Sequence, residues 1–165
     1  MVLILAMVIA AIVLTLGINM TNITSKEIYL ASFSGGSETA LYAADAALEC
    51  AEYYNGGDQK VFGRTGTQDL GTVAINCSGY SIAGTERVKP GTTDDPAITT
   101  FWIPPTSPPG DPSTVSTPCA FVSITNTTDG AVLRATYSVD GYNTCDANNP
   151  RRVQRSLQVN ATLSL

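Results

Sequence analysis

The sequence contains no histidine and few charged residues. Only 14% of its 165 residues are Asp, Glu, Lys or Arg, well below the usual quarter or so. Without histidine, a serine or cysteine nucleophile lacks its ordinary general base, so we expect the protein not to be an enzyme. The formal net charge of −5 argues against a basic surface that follows phosphates, so we do not expect nucleic acid as a main partner.

The four cysteines lack the spacing of a metal site, because no two of them form a CxxC pair. They are Cys50, Cys77, Cys119 and Cys145. An even number of cysteines in a chain rich in Ser, Thr and Asn predicts two disulfides, formed in an oxidising compartment. Of the three possible pairings we favour the one between sequence neighbours, with buried free thiols as the alternative. We predict no metal and no cofactor.

The chain begins with an apolar run, and no charge appears before Lys26. MVLILAMVIAAIVLTLGI covers residues 1–18, interrupted only by Thr15 and Gly17. As a helix this run spans about 27 Å, close to the bilayer hydrocarbon thickness of about 30 Å. We therefore predict a membrane anchor over residues 1–20. An ordinary signal peptide fits poorly, because no basic residue precedes the run, and we expect that a basic leader has been removed.

Beyond the anchor the helical pattern weakens and then returns. Gly17, Asn19 and their β-branched neighbours predict a helix break there, and Gly35-Gly36 marks a second possible interruption. Over residues 37–55 an amphipathic helix is predicted, and Asn and Gly at 55–57 should end it. Its expected apolar stripe consists of Leu41, Ala44, Leu48 and Ala51.

Residues 56–165 predict a β-rich head with no further long helix. Ser78-Gly79 and Asp129-Gly130 indicate tight turns, and the proline-rich stretch 104–118 predicts an exposed loop. The expected strands are Leu70–Cys77, Tyr80–Arg87, Phe121–Thr125, Leu133–Val139 and Val153–Leu163. The predicted fold class is α+β, with a long N-terminal helix whose second half packs on a small antiparallel sheet closed by two disulfides.

Two segments resemble a known family. ALYAADAALECAEYY (40–54) and GYNTCDANNPRRVQRSLQV (141–159), together with the order of an apolar helix and a β-rich head, are similar to type IV pilins and pseudopilins of the minor-pilin type. The resemblance implies a structural filament subunit, assembled by bundling of N-terminal helices. It also implies cleavage by a prepilin peptidase before the apolar run, which makes Met1 the methylated first residue.

The same resemblance implies partners, location and a filament core. The partners are identical or related subunits, and before assembly also the inner membrane and the pilus machinery. The protein then belongs to an extracellular pilus on the cell surface. One departure is Leu5, where most pilins have Glu. The residues expected in the membrane and then in the filament core are Met1, Leu3, Leu5, Val8, Ile12 and Leu16.

Alternatives to a filament subunit stay open at the level of the sequence. A membrane-tethered binding or adhesion module that does not polymerise is the first, and an exported enzyme is the second. For the enzyme the sequence offers only Asp94-Asp95, beside Pro96. Asp and Asn side chains, whose oxygens could bind calcium, cluster near the C-terminal loop, but they lack the spacing of a known calcium-binding loop. They are Asp140, Asn143, Asp146, Asn148 and Asn149.

Two further patterns have open interpretations. Arg151, Arg152 and Arg155 form the only basic concentration. They are candidates to meet Glu49 or Glu52, within one chain or between chains, and a solvated strand face is the alternative. Asparagines also head three N-x-Thr sequons, which arise often by chance. They are Asn22, Asn126 and Asn160.

Overall fold

Over the residues that it describes, the computed structural model contains one long helix followed by seven strands, an α+β architecture as predicted. It describes residues 2–56, 61–63, 75–82, 88–89, 96–105, 117–129 and 132–164. The elements are α1 (Val2–Gly56), β1 (Ile75–Cys77), β2 (Tyr80–Ile82), β3 (Val88–Lys89), β4 (Ala97–Ile103), β5 (Cys119–Asp129), β6 (Val132–Tyr142) and β7 (Gln154–Ser164). Met1, Asp94-Asp95 and residues 106–116 of the proline-rich stretch lie outside the described residues.

The chain divides into two compact units, residues 1–35 and 36–165, here called the N-terminal and the C-terminal unit. Helix α1 contributes to both. It ends at Gly56, inside the stretch 55–57 that was predicted to end it.

Helix α1 continues through Gly17 and Asn19, where a break was predicted. Hydroxyl groups just after these residues are satisfied within the helix, because they donate to carbonyls of the preceding turn. Thr21 donates to the carbonyl of Ile18 at 2.9 Å, and Thr24 donates to that of Met20 at 3.0 Å. Helix α1 is therefore continuous over the residues where the break was predicted.

Five strands form an antiparallel sheet in the order β3-β4-β5-β6-β7, and β1 pairs with β2 separately. Strands β5 and β6 contain the segments predicted for them and are longer than predicted, and β7 is the predicted segment shifted by one residue. Strand β4 is a segment that the prediction missed. Its sequence AITTFWI alternates between buried and half-buried side chains, a pattern typical of a strand with one covered face.

The β1–β2 hairpin turns at Ser78-Gly79, as predicted. Cys77 is opposite Tyr80 in the ladder, so the loop has two residues. Both have positive φ, 52° for Ser78 and 81° for Gly79, which is the geometry of a type I′ turn.

The core lies between the second half of α1 and one face of the large sheet. Small side chains of the helix are fully or almost fully buried there, namely Ala40, Ala44, Ala47 and Ala51. Gly141 of β6 faces them so closely that a Cβ atom added to it would lie 2.1 Å from the Ala40 carbonyl oxygen and 2.8 Å from the Ala44 Cβ. A large side chain has no room at this contact.

This close approach corrects the predicted apolar stripe at one position. Ala44, Leu48 and Ala51 are buried as expected, but Leu41 is 44% exposed. The stripe is centred instead on alanines, because only they allow the helix backbone to reach Gly141.

A buried polar cluster closes the other end of the helix–sheet contact. Asn55 donates to the Asn126 Oδ1 at 3.0 Å and to the Tyr137 hydroxyl at 2.9 Å. Asn126 in turn donates to the Asn55 Oδ1 at 3.1 Å and to the Gly63 carbonyl at 2.8 Å. Because Asn55, Asn126 and Tyr137 are at most 1% exposed, these bonds replace water that the side chains cannot reach.

Two disulfides staple the C-terminal unit, in the predicted pairing. Cys50 of α1 bonds Cys77 of β1, with Cα atoms 5.8 Å apart, and Cys119 of β5 bonds Cys145, at 5.7 Å. They close loops of 27 and 26 residues. A loop of that size contributes about 3 to 4 kcal/mol in the chain-entropy account.

Replacing Gly141 by Ala tests the close helix–sheet contact. Because the new Cβ would meet backbone atoms of α1, we expect Gly141→Ala to lower the free energy of unfolding by about 3 kcal/mol or more. Urea unfolding of the detergent-solubilised chain, followed by tryptophan fluorescence, measures this. The matched control is Gly35→Ala, where no atom lies within 4 Å of the added Cβ and no loss is expected. Equal unfolding midpoints for the two variants would contradict the packing described.

Replacing Asn126 by Asp tests the buried polar cluster. The variant loses both N–H donors of the amide and directs a carboxylate toward the Gly63 carbonyl. We therefore expect the free energy of unfolding to fall by about 3 kcal/mol at pH 7. Burial should raise the pKa of the new carboxyl, so the deficit should shrink as the pH falls toward the unfolded value of about 3.9. Asn160→Asp is the control, because Asn160 is exposed and its Oδ1 only accepts from Thr136. Equal losses in both variants would contradict the cluster.

Candidate membrane and assembly surface

The most prominent surface of the N-terminal unit is apolar on every side. Every large apolar side chain from Val2 to Phe33 is at least 51% exposed, and we call this set the apolar helix surface. The described residues predicted for the membrane and filament core belong to it. They are Leu3 (71% exposed), Leu5 (64%), Val8 (52%), Ile12 (53%) and Leu16 (59%).

Four hydroxyl side chains of this segment, those of Thr15, Thr21, Thr24 and Ser25, are satisfied within the helix. Thr15 donates to the Ile12 carbonyl at 2.8 Å, and Ser25 donates to the Thr21 carbonyl at 3.0 Å. A hydroxyl bonded in this way can enter a water-free environment at low cost.

By length and composition, α1 contains a segment that can cross a membrane. The first charges along the chain are Lys26 and Glu27. A helix that is apolar all around requires burial in lipid or in protein, and the N-terminal unit itself provides neither.

The C-terminal arginines have different surroundings. Arg155 donates its Nε–H to the Ser37 hydroxyl at 2.7 Å, and Arg151 is exposed. The Arg152 guanidinium lies over the Tyr142 ring, 4.1 Å from its centroid, a cation–π arrangement. Within one chain the described side-chain contacts of these arginines are therefore to Ser37 and Tyr142, and not to the predicted Glu49 or Glu52.

The oxygen side chains near Cys145 hold their own loop. Asn143 accepts from the Val153 amide at 2.7 Å and donates to the Arg151 carbonyl at 3.0 Å. Asp146 accepts from the Asn148 amide at 2.9 Å. These bonds close the loop between β6 and β7, and they use side-chain oxygens of Asn143 and Asp146, two of the residues that the sequence offered as calcium ligands.

The sequons differ in their accessibility. Asn126 is 1% exposed and its amide is fully engaged in the polar cluster, so it cannot be modified in the folded chain. Asn160 is exposed on β7. The side chain of Asn22 lies outside the described residues.

The sequence prediction missed an aromatic cluster on the face of the sheet opposite α1. Trp102 of β4 lies 4.9 Å from Phe121 of β5 and 6.0 Å from Tyr142 of β6, measured between ring centroids. Burial raises the pKa of the Tyr142 hydroxyl, nearby Asp140 raises it further, and Arg152 opposes both. Recognising β4 as a strand would have placed Trp102 on this face.

Comparisons of the chain with protein-family models, curated proteins and solved structures found no match.

Charge placed in the apolar run tests the membrane role of this surface. Lysine near the centre of a membrane helix costs about 3 kcal/mol on insertion scales, so the double variant Val8→Lys, Ile12→Lys should leave the membrane fraction. The measurement is the share of protein kept by carbonate-washed membranes. The matched control is Tyr42→Lys, Tyr53→Lys, at positions that are 64% and 63% exposed but outside the run. Equal retention of the two double variants would show that the run does not anchor the chain.

Proposed function

We propose that this chain is a structural subunit of a type IV pilus-like extracellular filament. The N-terminal unit is held in the inner membrane after prepilin peptidase cleavage and is then transferred to the filament core, among helices of identical or related subunits. The C-terminal unit remains outside the helix bundle. The proposed role is assembly, without a catalytic step.

The observation that carries the proposal is the apolar helix surface. Fully burying a large apolar side chain contributes about 1.5 to 3 kcal/mol, so the gross term for this surface is on the order of tens of kcal/mol relative to water. Lipid provides that burial before assembly, and neighbouring helices provide it afterwards.

The length of this surface favours assembly over simple anchoring. From Val2 to Phe33 a helix rises about 47 Å, whereas the bilayer hydrocarbon is about 30 Å thick. Beyond Lys26 and Glu27, large apolar side chains are still more than half exposed. They are Ile28, Tyr29, Leu30 and Phe33. A lone anchor leaves part of this stretch in water, whereas packing against neighbouring copies covers it.

The architecture of the C-terminal unit supports the same role. Two disulfides and a buried polar cluster stabilise a small domain that has to persist outside the cell, where an oxidising environment keeps disulfides formed. The helix, the antiparallel sheet and the two disulfides also have the layout that the resemblance implies.

A single introduced cysteine separates a filament from a tethered monomer. The described cysteines are all paired in disulfides, so Leu30→Cys provides a distinct free thiol in the stretch beyond the anchor. We expect filaments in negative-stain images of material sheared from cells, and disulfide-linked dimers of this variant after mild oxidation. Ser138→Cys, an exposed position on the sheet face opposite α1, is the control and should cross-link less.

The opposite result would favour a membrane-tethered binding module. In that case the protein stays in the membrane fraction as a monomer, sheared material contains none of it, and Leu30→Cys gives no more dimer than Ser138→Cys.

A further inference from the structure

The sheet face opposite α1 carries three half-buried aromatic rings at one end. Trp102, Phe121 and Tyr142 come from three adjacent strands, and Trp102 contacts both other rings. All three are intermediate in exposure. The rest of this face carries mainly Ser, Thr, Asn and Gln side chains, together with apolar Ile98 and Val132 and charged Arg134 and Asp140, so the aromatic cluster is a local concentration and not part of a continuous apolar layer.

Arg152 extends this cluster on the side of Tyr142. Its guanidinium is stacked on the Tyr142 ring, and its Nε is buried without a hydrogen-bond acceptor among the described residues. A buried donor of a charged group that lacks an acceptor is unfavourable. The remaining nitrogens of the same planar fork match the geometry of a carboxylate.

A cavity of about 200 Å³ lies beside this guanidinium. Its lining includes Tyr142, Arg152 and Gln154. The Gln154 amide and the Ser156 hydroxyl are near each other, at 3.4 Å, and Ser156 donates to Asp140. One cation, one aromatic ring and the Gln154 amide thus line a small space, the pattern of a binding site for a small polar molecule.

We propose that this cavity binds a carboxylate-bearing sugar residue of the uronate class. The ligand carboxylate is paired with Arg152, its ring lies beside Tyr142, and its hydroxyl groups meet the Gln154 amide. This proposal does not depend on filament formation, because every residue in it belongs to the C-terminal unit.

The composition of the cavity favours an acidic sugar over other anions. A phosphate site usually offers several cations or a run of backbone amides, whereas here a single guanidinium is combined with one aromatic ring and one side-chain amide. An acidic peptide would use the guanidinium but not the adjacent Tyr142 ring and Gln154 amide together. The size of the cavity suits a single ring and not a longer segment.

The test uses the only tryptophan of the chain as a reporter, since Trp102 is part of the cluster. Glucuronate is titrated into the detergent-solubilised full chain while tryptophan fluorescence is recorded. We expect a saturable change with a Kd on the order of 1 mM. Glucose, which lacks the carboxylate, and acetate, which lacks the ring, should each bind at least about tenfold more weakly, a difference of about 1.4 kcal/mol.

Variants of two neighbouring arginines locate the site. Arg152→Gln should weaken glucuronate binding at least about tenfold, or about 1.4 kcal/mol. Arg151→Gln removes the same charge one residue away at an exposed position and should leave binding unchanged. Should Arg152→Gln disturb the loop, Gln154→Ala is the second variant, because Gln154 is exposed and its loss should weaken binding without unfolding the chain, as checked by circular dichroism.

Several results would overturn the proposal. One is the absence of a saturable response to glucuronate, and another is equal binding of acetate or glucose. A glutamate-containing tripeptide that competes as well as glucuronate would assign the cavity to acidic peptides instead. Equal effects of Arg151→Gln and Arg152→Gln would show that the fluorescence response depends on net charge and not on a specific site at Arg152. Each result is independent of whether filaments form, which is scored by microscopy.

Discussion

The close contact between the alanines of α1 and Gly141 determines how the rest of the C-terminal unit is built. Because the helix backbone reaches the sheet there, Gly141 and its partner Ala120 on β5 have no large side chain, and the larger buried side chains Val122, Ile124 and Tyr137 lie farther along β5 and β6. The same contact brings Cys50 to Cys77 and Asn55 to Asn126. Neither the first disulfide nor the buried polar cluster could form if the helix stood one side-chain layer farther from the sheet.

The two parts of α1 differ in the size of their apolar side chains and in whether those side chains are buried. Between residues 40 and 55 the buried side chains are mostly alanines, which pack against the sheet of the same chain. Between Val2 and Phe33 the apolar side chains are mostly large and remain exposed. A helix with small residues on one stripe is suited to one defined partner surface, whereas large apolar residues all around require an apolar surrounding on every side. Lipid and a bundle of like helices are two such surroundings.

Patterns local in the sequence predicted much of this fold, and contacts between distant segments account for what was missed. Alternation predicted the last three strands, and Ser78-Gly79 predicted its turn. Strand β4 was missed because Asp94-Asp95-Pro96 and the proline-rich stretch on its two sides suggested continuous loop. The exposure of Leu41 depends on Gly141, a hundred residues away. The pairing of Asn55 with Asn126 spans 71 residues, and no local pattern marks either residue as a partner of the other.

The location of the aromatic cluster allows the two proposed roles to coexist in one chain. Trp102, Phe121 and Tyr142 are on the sheet face opposite residues 40–55 of α1, and the five-stranded sheet separates the cavity from the helix contact. Filling the cavity therefore requires no movement of α1 against the sheet, and the Gly141 contact is unchanged by it. The loop that carries Arg152 is also fixed independently of any ligand, by the Cys119–Cys145 disulfide and by the bonds of Asn143. A preformed site of this kind requires little reorganisation on binding. A low cost of reorganisation is important for weakly binding ligands such as single sugar residues.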